Sequence, residues 1–493
     1  MGILRIIFVA VARSQVVSRK TLSAKNLEAL GAERLAELLM QISIGHPAAK
    51  RRLRLELAGA QGSREVANEV RKRMTSIARS RTFIDWQNRK DLVADLETQR
   101  RAILDQVAKS DPAEAFELMW RFTTLANSVF ERCDDSSGTI IGIFHAACRD
   151  IGEIVQVAKV APELLAERAF DALTENDYGQ YDNIIGVLSS ALGVNGLNHL
   201  KGRFLELSKA PVEKPKDKDR KVIAWGTGGP LYADEISSRR HQSTISLALQ
   251  EIADAQGDVD AFIALQSEKA KTVPGVAAQI ARRLLSAGRT KEAWSAINTV
   301  AEDRTGWIPF EWEEVRLDVM EALGKADEAQ TFRWQCFERT LNVAHLRTFL
   351  KRLPDFEDVE AEERAMSFAL AFKNVHQALT FLVSWPSLNK VATLVTQRSA
   401  ELDGNHYEIL SPAAYALASK YPLAATLLLR SMIDFSLKQG RATRYRHAAR
   451  HLIECASLAA TIKDFGIFEP HERYSARLKN EHGRKTSFWM HVS

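Results

Sequence analysis

From Thr21 onward, apolar residues return every three to five positions, with charged residues between them. Leu27, Leu30, Leu35, Leu38, Leu39 and Ile42 form the first such series. Leu92, Val93, Leu96, Ile103, Leu104 and Val107 form another, with no Gly or Pro from Asp91 to Ser110. Spacings of three and four residues put side chains on one face of an α-helix. The first series reads as one helix, or as two short helices broken at Gly31. Breakers are scarce: 25 Gly and 13 Pro in 493 residues, below the usual ~7% and ~5%.

Helix starts are legible too. Asp111-Pro-Ala-Glu114 offers an acceptor side chain at the N-cap, a proline in the first turn and a glutamate after it. Ser411-Pro412, Tyr421-Pro422 and Glu469-Pro470 read as further starts. Leu423–Leu437 followed by Tyr445–Leu458 reads as an antiparallel pair. The β-branched stretch Thr139–Phe144 has helical flanks and is read as helix. The expected fold class is all-α.

Residues 211–235 break the pattern. Pro211 to Pro230 holds three prolines, a charge run and a glycine cluster, as a surface loop or linker does. The expected organisation is therefore a loose N-terminal extension (1–20), an N-terminal helical domain (21–210), the linker (211–235) and a helical repeat domain (236–493). Within the linker, Trp225 beside Gly226, Gly228 and Gly229 sets an aromatic ring next to flexible backbone, a candidate binding loop. The alternative is a tolerated surface insertion.

Three windows repeat one chemistry: Ala255–Ala261, Ala287–Ala293 and Leu323–Ala329. Each has a glycine after a helix, a few polar residues and a small residue opening the next helix. The last two share Gly-x-x-x-Glu-Ala. Gly257, Gly288 and Gly324 are 31 and 36 residues apart. Glycine closes a helix in the left-handed conformation other residues resist, and alanine lets the next helix lie close. Residues 255–340 thus resemble degenerate tetratricopeptide repeats, whose period is about 34. That resemblance implies an α-solenoid of antiparallel helix pairs, in two helical halves joined by the long loop.

A broader resemblance covers Thr21 to Trp489. TLSAKNLEALGAERLAELL (21–39), ANSVFERCDDSSG (126–138), IAWGTGGPLYADEI (223–236), YRHAARHLIECASL (445–458) and FEPHERYSARLKNEHGRKTSFW (468–489) resemble an uncharacterised bacterial family of long helical proteins. It implies no reaction.

The chemical signatures are sparse. Cys133, Cys148, Cys336 and Cys455 form no Cys-x-x-Cys pair, which fits a reducing compartment and argues against zinc ribbons. His447, His451 and Cys455 share a helix face, but the first and third are about 12 Å apart along the axis, too far for one ion. A neighbouring pair plus His471 or His482 is the remaining metal arrangement; a packed helix face is the other reading. His145 and Cys148, three apart, meet on any helix and define no catalytic pair. Cys133–Gly138 reads as an inter-helix turn. Gly226-Thr-Gly-Gly229 lacks the ending of a phosphate-binding loop. No catalytic residue, cofactor or metal is expected.

Charge is the remaining lead. Lys50 to Lys109 holds 15 Lys+Arg against 8 Asp+Glu, including the cluster Arg71, Lys72 and Arg73. Such a segment can dock on phosphate backbones or acidic proteins, although a solvated helix face has the same composition. Arg441, Arg444, Arg446 and Arg450 form a second cluster, and Arg484-Lys485 a third. The principal expectation is a non-catalytic cytoplasmic scaffold that binds a peptide or partner protein on the concave face of a helical superhelix. The alternatives are a nucleic-acid-associated protein using residues 50–109 and an enzyme with its site at the Trp225 loop. No membrane association is expected.

Overall fold

The computed structural model describes residues 22–492 except 86–88, 211–219, 227–228 and 301–307. The described residues are helical almost throughout. The first unit, up to Gln266, contains α1 (Ala24–Glu28), α2 (Ala32–Ser43), α3 (Pro47–Gln61), α4 (Ser63–Arg79), α5 (Arg89–Ala102), α6 (Pro112–Thr123), α7 (Leu125–Phe130), α8 (Thr139–Ala158), α9 (Pro162–Thr174), α10 (Ile184–Lys209), α11 (Ala233–Gln256) and α12 (Val259–Ala264). A π-helical turn, Ile103–Val107, extends α5.

Local chemistry explains several of these boundaries. Gly31, at φ 82°, separates α1 from α2. Asp111 accepts from the Glu114 amide at 3.0 Å, with Pro112 in the first turn of α6. Asp135 accepts from the amides of Ile140 and Ile141, so Cys133–Gly138 is the turn that opens α8, and Thr139–Phe144 is helix. The core of this unit gathers Phe116, Phe122, Phe144 and Phe204, all essentially buried.

The linker segment contains structure of its own. Val222–Gly226 (β1) and Gly229–Tyr232 (β2) pair antiparallel, with Trp225 opposite Pro230. Arg220 bonds Asp234 and Glu235 and lies 3.8 Å over the Tyr232 ring, which ties the hairpin base to α11. Beyond the hairpin, α11 packs along α10 and α9.

The second unit, from Ser267, contains α13 (Glu268–Lys271), α14 (Pro274–Ser286), α15 (Thr290–Ile297), α16 (Phe310–Ala322), α17 (Ala326–Thr340), α18 (Val343–Leu350), α19 (Glu357–Ala371), α20 (Val375–Ser384), α21 (Leu388–Gln397), α22 (Tyr407–Leu417), α23 (Pro422–Lys438), α24 (Tyr445–Ala459), α25 (His471–His482) and α26 (Thr486–Trp489). From α14 to α20 each helix packs on the next, and α14 also packs on α16. The read pair at the C-terminal end is α23 packed on α24.

The repeat glycines close their helices in one way. Gly257, Gly288 and Gly324 have φ of 67°, 74° and 75°. The amide after each donates to a carbonyl five residues back: Asp258 to Ala253, Arg289 to Leu284 and Lys325 to Met320, at 2.8–3.0 Å. This is the six-residue closure that a left-handed residue permits. Ala293 and Ala329, the small residues that follow two of these glycines, are fully buried. Gly440 repeats the closure after α23, with Arg441 donating to Ser436 at 3.0 Å.

One expected helix start is corrected. Pro412 lies inside α22, which begins at Tyr407. Its missing amide costs the helix the bond to the Glu408 carbonyl.

No described helix is long and apolar enough to cross a membrane.

Candidate functional site

The second unit contains a polar cleft lined largely by α14, α16 and α18. Arg282 comes from α14; Phe310, Glu314, Leu317 and Asp318 from α16; Ala344, His345 and Thr348 from α18. Arg333 of α17 and Arg352, just past α18, complete it. Its volume is about 180 Å³. That is smaller than the ~300–1,000 Å³ typical of small-molecule and cofactor pockets.

The charges in this cleft are organised. Glu321 bridges Arg333 and Arg352, the latter at 2.8 Å. Arg333 also donates to the Gln330 side chain at 3.0 Å, while its Nε has no hydrogen-bond partner. Burial works against the Arg333 charge and draws its pKa down to about 10, with Arg352 adding repulsion. Burial raises the Asp318 carboxyl, against the pull of Arg282, Arg333 and Arg352. Arg282 pairs with Glu311 at 3.2 Å. Perturbed groups gathered in a cleft mark a candidate site.

Beside the cleft, His345 hydrogen-bonds Glu313 at 2.7 Å, and both are buried. Cys336 stands close by, so that one ligand atom from each of Glu313, Cys336 and His345 lies within 4.8 Å of the others. These are metal-ligand residue types. The place is already served by a cation, however. The Arg339 guanidinium pairs with Glu313 and lies 3.8 Å from the Cys336 sulfur. Burial pushes the Cys336 thiol up to about 12. The cluster reads as a closed ion network that fixes α16, α17 and α18 to one another.

The sequence-derived sites are placed as follows. Trp225 is on β1, 77% exposed. Gly226 faces Gly229 across the hairpin, and Gly228 lies outside the described residues, as does the extension 1–20. The basic trio sits on α4 with each member paired. Arg71 meets Glu114, Lys72 meets Glu69 at 2.7 Å, and Arg73 bonds the buried Asp95 at 2.7 Å through Nε. Lys72 and Arg73, with Arg51, Arg54 and Glu69, line a second cleft.

The cysteine–histidine pairs serve as packing groups. His145 bonds the Gly179 carbonyl at 2.9 Å and Cys148 the Gln180 carbonyl at 3.1 Å, so both hold the loop before α10. On α24, His447 is exposed, His451 half-buried and Cys455 buried. Cys455 approaches the Thr426 carbonyl at 3.9 Å.

Sequence reasoning missed Glu313, His345 and Cys336. They come from three helices, and no local spacing joins them. The glycine closures on either side of α16 were the only signal that these helices lie together.

Comparison with known proteins adds a family and no activity. No curated protein matches the chain. A family model described as "Family of unknown function (DUF6880)" matches residues 17–491. With nearly the whole chain matched, the protein belongs to the DUF6880 family, an all-helical member of a family whose function is not known.

Proposed function

We propose that the chain is a non-catalytic interaction scaffold that holds a peptide or partner-protein segment on the concave face of a helical superhelix. One observation carries this reading. The cleft draws its lining mainly from α14, α16 and α18, the first helices of consecutive pairs, and stacked pairs present such helices along one continuous wall. The modest volume and the alternation of guanidinium and carboxylate suit a segment with mixed polar side chains. We place this work in the cytoplasm, consistent with four free cysteines.

The test compares capture by the native chain and by a cleft-filling Thr348→Trp variant. The expected result is a protein retained by the wild type in high salt and lost by the variant. Equal retention by both removes the cleft from the proposal.

A second reading is favoured by the other cleft. Arg51, Arg54, Lys72 and Arg73 line it with Glu69, so cations outnumber carboxylates along α3 and α4. Nucleic acid would bind there with a steep salt dependence, close to one released counterion per phosphate contact. Arg71 and Arg73 hold ion pairs to other helices, whereas Lys72 pairs only within α4, so the informative variants are Arg54→Glu and Lys72→Glu. Binding that keeps its salt slope in both rejects this reading.

A further inference from the structure

In the first unit, α3, α4 and α5 line a cleft of about 200 Å³. Helical spacing gathers its charges. Arg51 and Arg54 stand at i and i+3 on α3, while Glu69, Lys72 and Arg73 stand at i, i+3 and i+4 on α4. Each set therefore occupies one face of its helix.

The cleft holds more positive charge than its carboxylates take up. Lys72 and Glu69 neutralise each other at 2.7 Å. The buried Asp95 of α5 is shared between two arginines. Its Oδ2 accepts from Arg73 Nε at 2.7 Å and lies 3.6 Å from Arg51 Nη2, while Oδ1 accepts from Gln99 at 3.3 Å. One carboxylate thus answers two guanidinium groups. Arg51 makes no hydrogen bond among the described residues, and its Nε is buried without a partner. Arg54 lines the same cleft and has no ion pair among the described residues. Two positive charges are left over at one place. Arg73 is held by Asp95 and donates to Ser76 Oγ at 3.1 Å, so this wall of the cleft is ordered before any ligand arrives.

We propose that the cleft binds one phosphomonoester group. Such a group carries about −1.5 to −2 charge near pH 7 and three acceptor oxygens, which matches the two leftover cations. A carboxylate or a phosphodiester brings a single charge. The planar guanidinium of Arg51, free of hydrogen bonds, fits two oxygens of a phosphate, and Arg54 supplies the second charge. Ser76 accepts from Arg73 and keeps its own hydroxyl proton to donate. The volume lies below the ~300–1,000 Å³ of pockets that enclose whole cofactors, so the cleft encloses an end group and leaves the rest of the ligand outside. The nucleic-acid reading uses the same cleft, but the proposal does not depend on it. A phosphorylated small molecule and the phosphorylated end of a nucleic acid present the same group.

The test follows the ³¹P line width of methyl phosphate titrated with the full chain at constant ionic strength. The expected result is binding of methyl phosphate that is about tenfold tighter than binding of dimethyl phosphate. Arg51→Gln and Arg54→Gln each weaken it about tenfold, the size of one charge-assisted hydrogen bond. Lys50→Gln, next to Arg51 but outside the lining, leaves it unchanged, and circular dichroism checks that each variant is folded. Lowering the pH from 7.5 to 5.5 leaves about a quarter of the monoester as dianion, from its second pKa of about 6, and weakens binding about fourfold. Absence of binding, equal binding of the diester, or indifference to both arginine variants overturns the proposal. Displacement by 5′-phosphorylated and 5′-hydroxyl single-stranded DNA separates the sources. Preference for the phosphorylated strand supports the proposal with a nucleic-acid end as carrier. Displacement by neither supports it with a small molecule as carrier and removes the nucleic-acid reading. Equal displacement by both shows that the cleft reads the backbone, which overturns the proposal and leaves the nucleic-acid reading standing.

Discussion

His345 and Glu313 share a 2.7 Å hydrogen bond in the second unit, and each residue is 3% exposed. The other carboxylate oxygen of Glu313 takes the half-exposed Arg339 guanidinium. A buried carboxylate is tolerated when donors surround it, and removing one partner of such a network is costly. Glu313→Ala strands the His345 ring, while Arg339 can turn to water. The expected loss is about 2–3 kcal/mol, somewhat below the range for breaking a fully buried pair. Urea unfolding followed through Trp312 and Trp334, on α16 and α17, measures it. A loss below about 0.5 kcal/mol, the size of an ordinary surface change, would show that the network does not join these helices.

Two buried groups, one in each unit, contribute stability with opposite pH dependence. Burial, aided by Asp182 and Asp254, raises Glu251 of α11 from 4.5 to about 7. The folded first unit therefore binds this proton more tightly than the unfolded chain. Its contribution is fully present below pH 4.5 and is lost as pH rises toward 7. Glu251→Gln should flatten that slope and stabilise the unit at pH 8.

His451 of α24 behaves conversely. Burial, with His447 and Arg450 nearby, lowers it from 6.5 to about 4. The unfolded chain takes up the proton first. This stability is present above pH 6.5 and is lost as pH falls toward 4. Hydrogen exchange at pH 5 and pH 7, resolved by unit, separates the two effects. A His451→Gln variant that keeps the acid slope of the second unit would assign it elsewhere.

Three thiols should be inert in the folded state. Burial pushes Cys148, Cys336 and Cys455 up to about 12, and thiolate is the reactive form. A disulfide reagent at pH 8 should label the native chain slowly and all four cysteines at once in urea. Fast native labelling of Cys336 would place it in contact with solvent and loosen the closed network around Glu313.

Local pattern carried the architecture, and long-range pairing did not. The periodicity of Leu27 to Ile42 showed helix, because backbone geometry alone sets that spacing, but left open whether Gly31 breaks it; the structure resolves this as α1 and α2. The same pattern could not show that Leu39 and Ile42 remain in water, since exposure depends on what packs above them. Charge counting placed a basic segment at Lys50–Lys109 but could not see that Arg73 bonds Asp95, 22 positions away. The His345–Glu313 bond spans 32 positions and three helices, so no motif announces it. The β1–β2 hairpin was hidden by its proline and glycine content, which reads as loop until Trp225 is set opposite Pro230.

The glycine hinges were the most informative sequence signal, and they make a paired prediction. Gly324, at φ 75°, has open space around the position a Cβ would take. Any cost of Gly324→Ala is therefore conformational rather than steric. A left-handed backbone costs an L-residue roughly 1–2 kcal/mol, partly offset by the lower entropy of the unfolded alanine chain. The net expectation is a loss of about 1 kcal/mol in the second unit. Gly202, within α10, also has open space but has ordinary helical φ. There alanine removes backbone freedom from the unfolded chain and nothing opposes it, so Gly202→Ala should stabilise the first unit by about 0.5–1 kcal/mol. Urea midpoints of the two variants should move in opposite directions. If Gly324→Ala shifts the midpoint upward as Gly202→Ala does, α16 does not end in a left-handed turn, and the hairpin geometry that brings α16 and α18 to one cleft loses its basis.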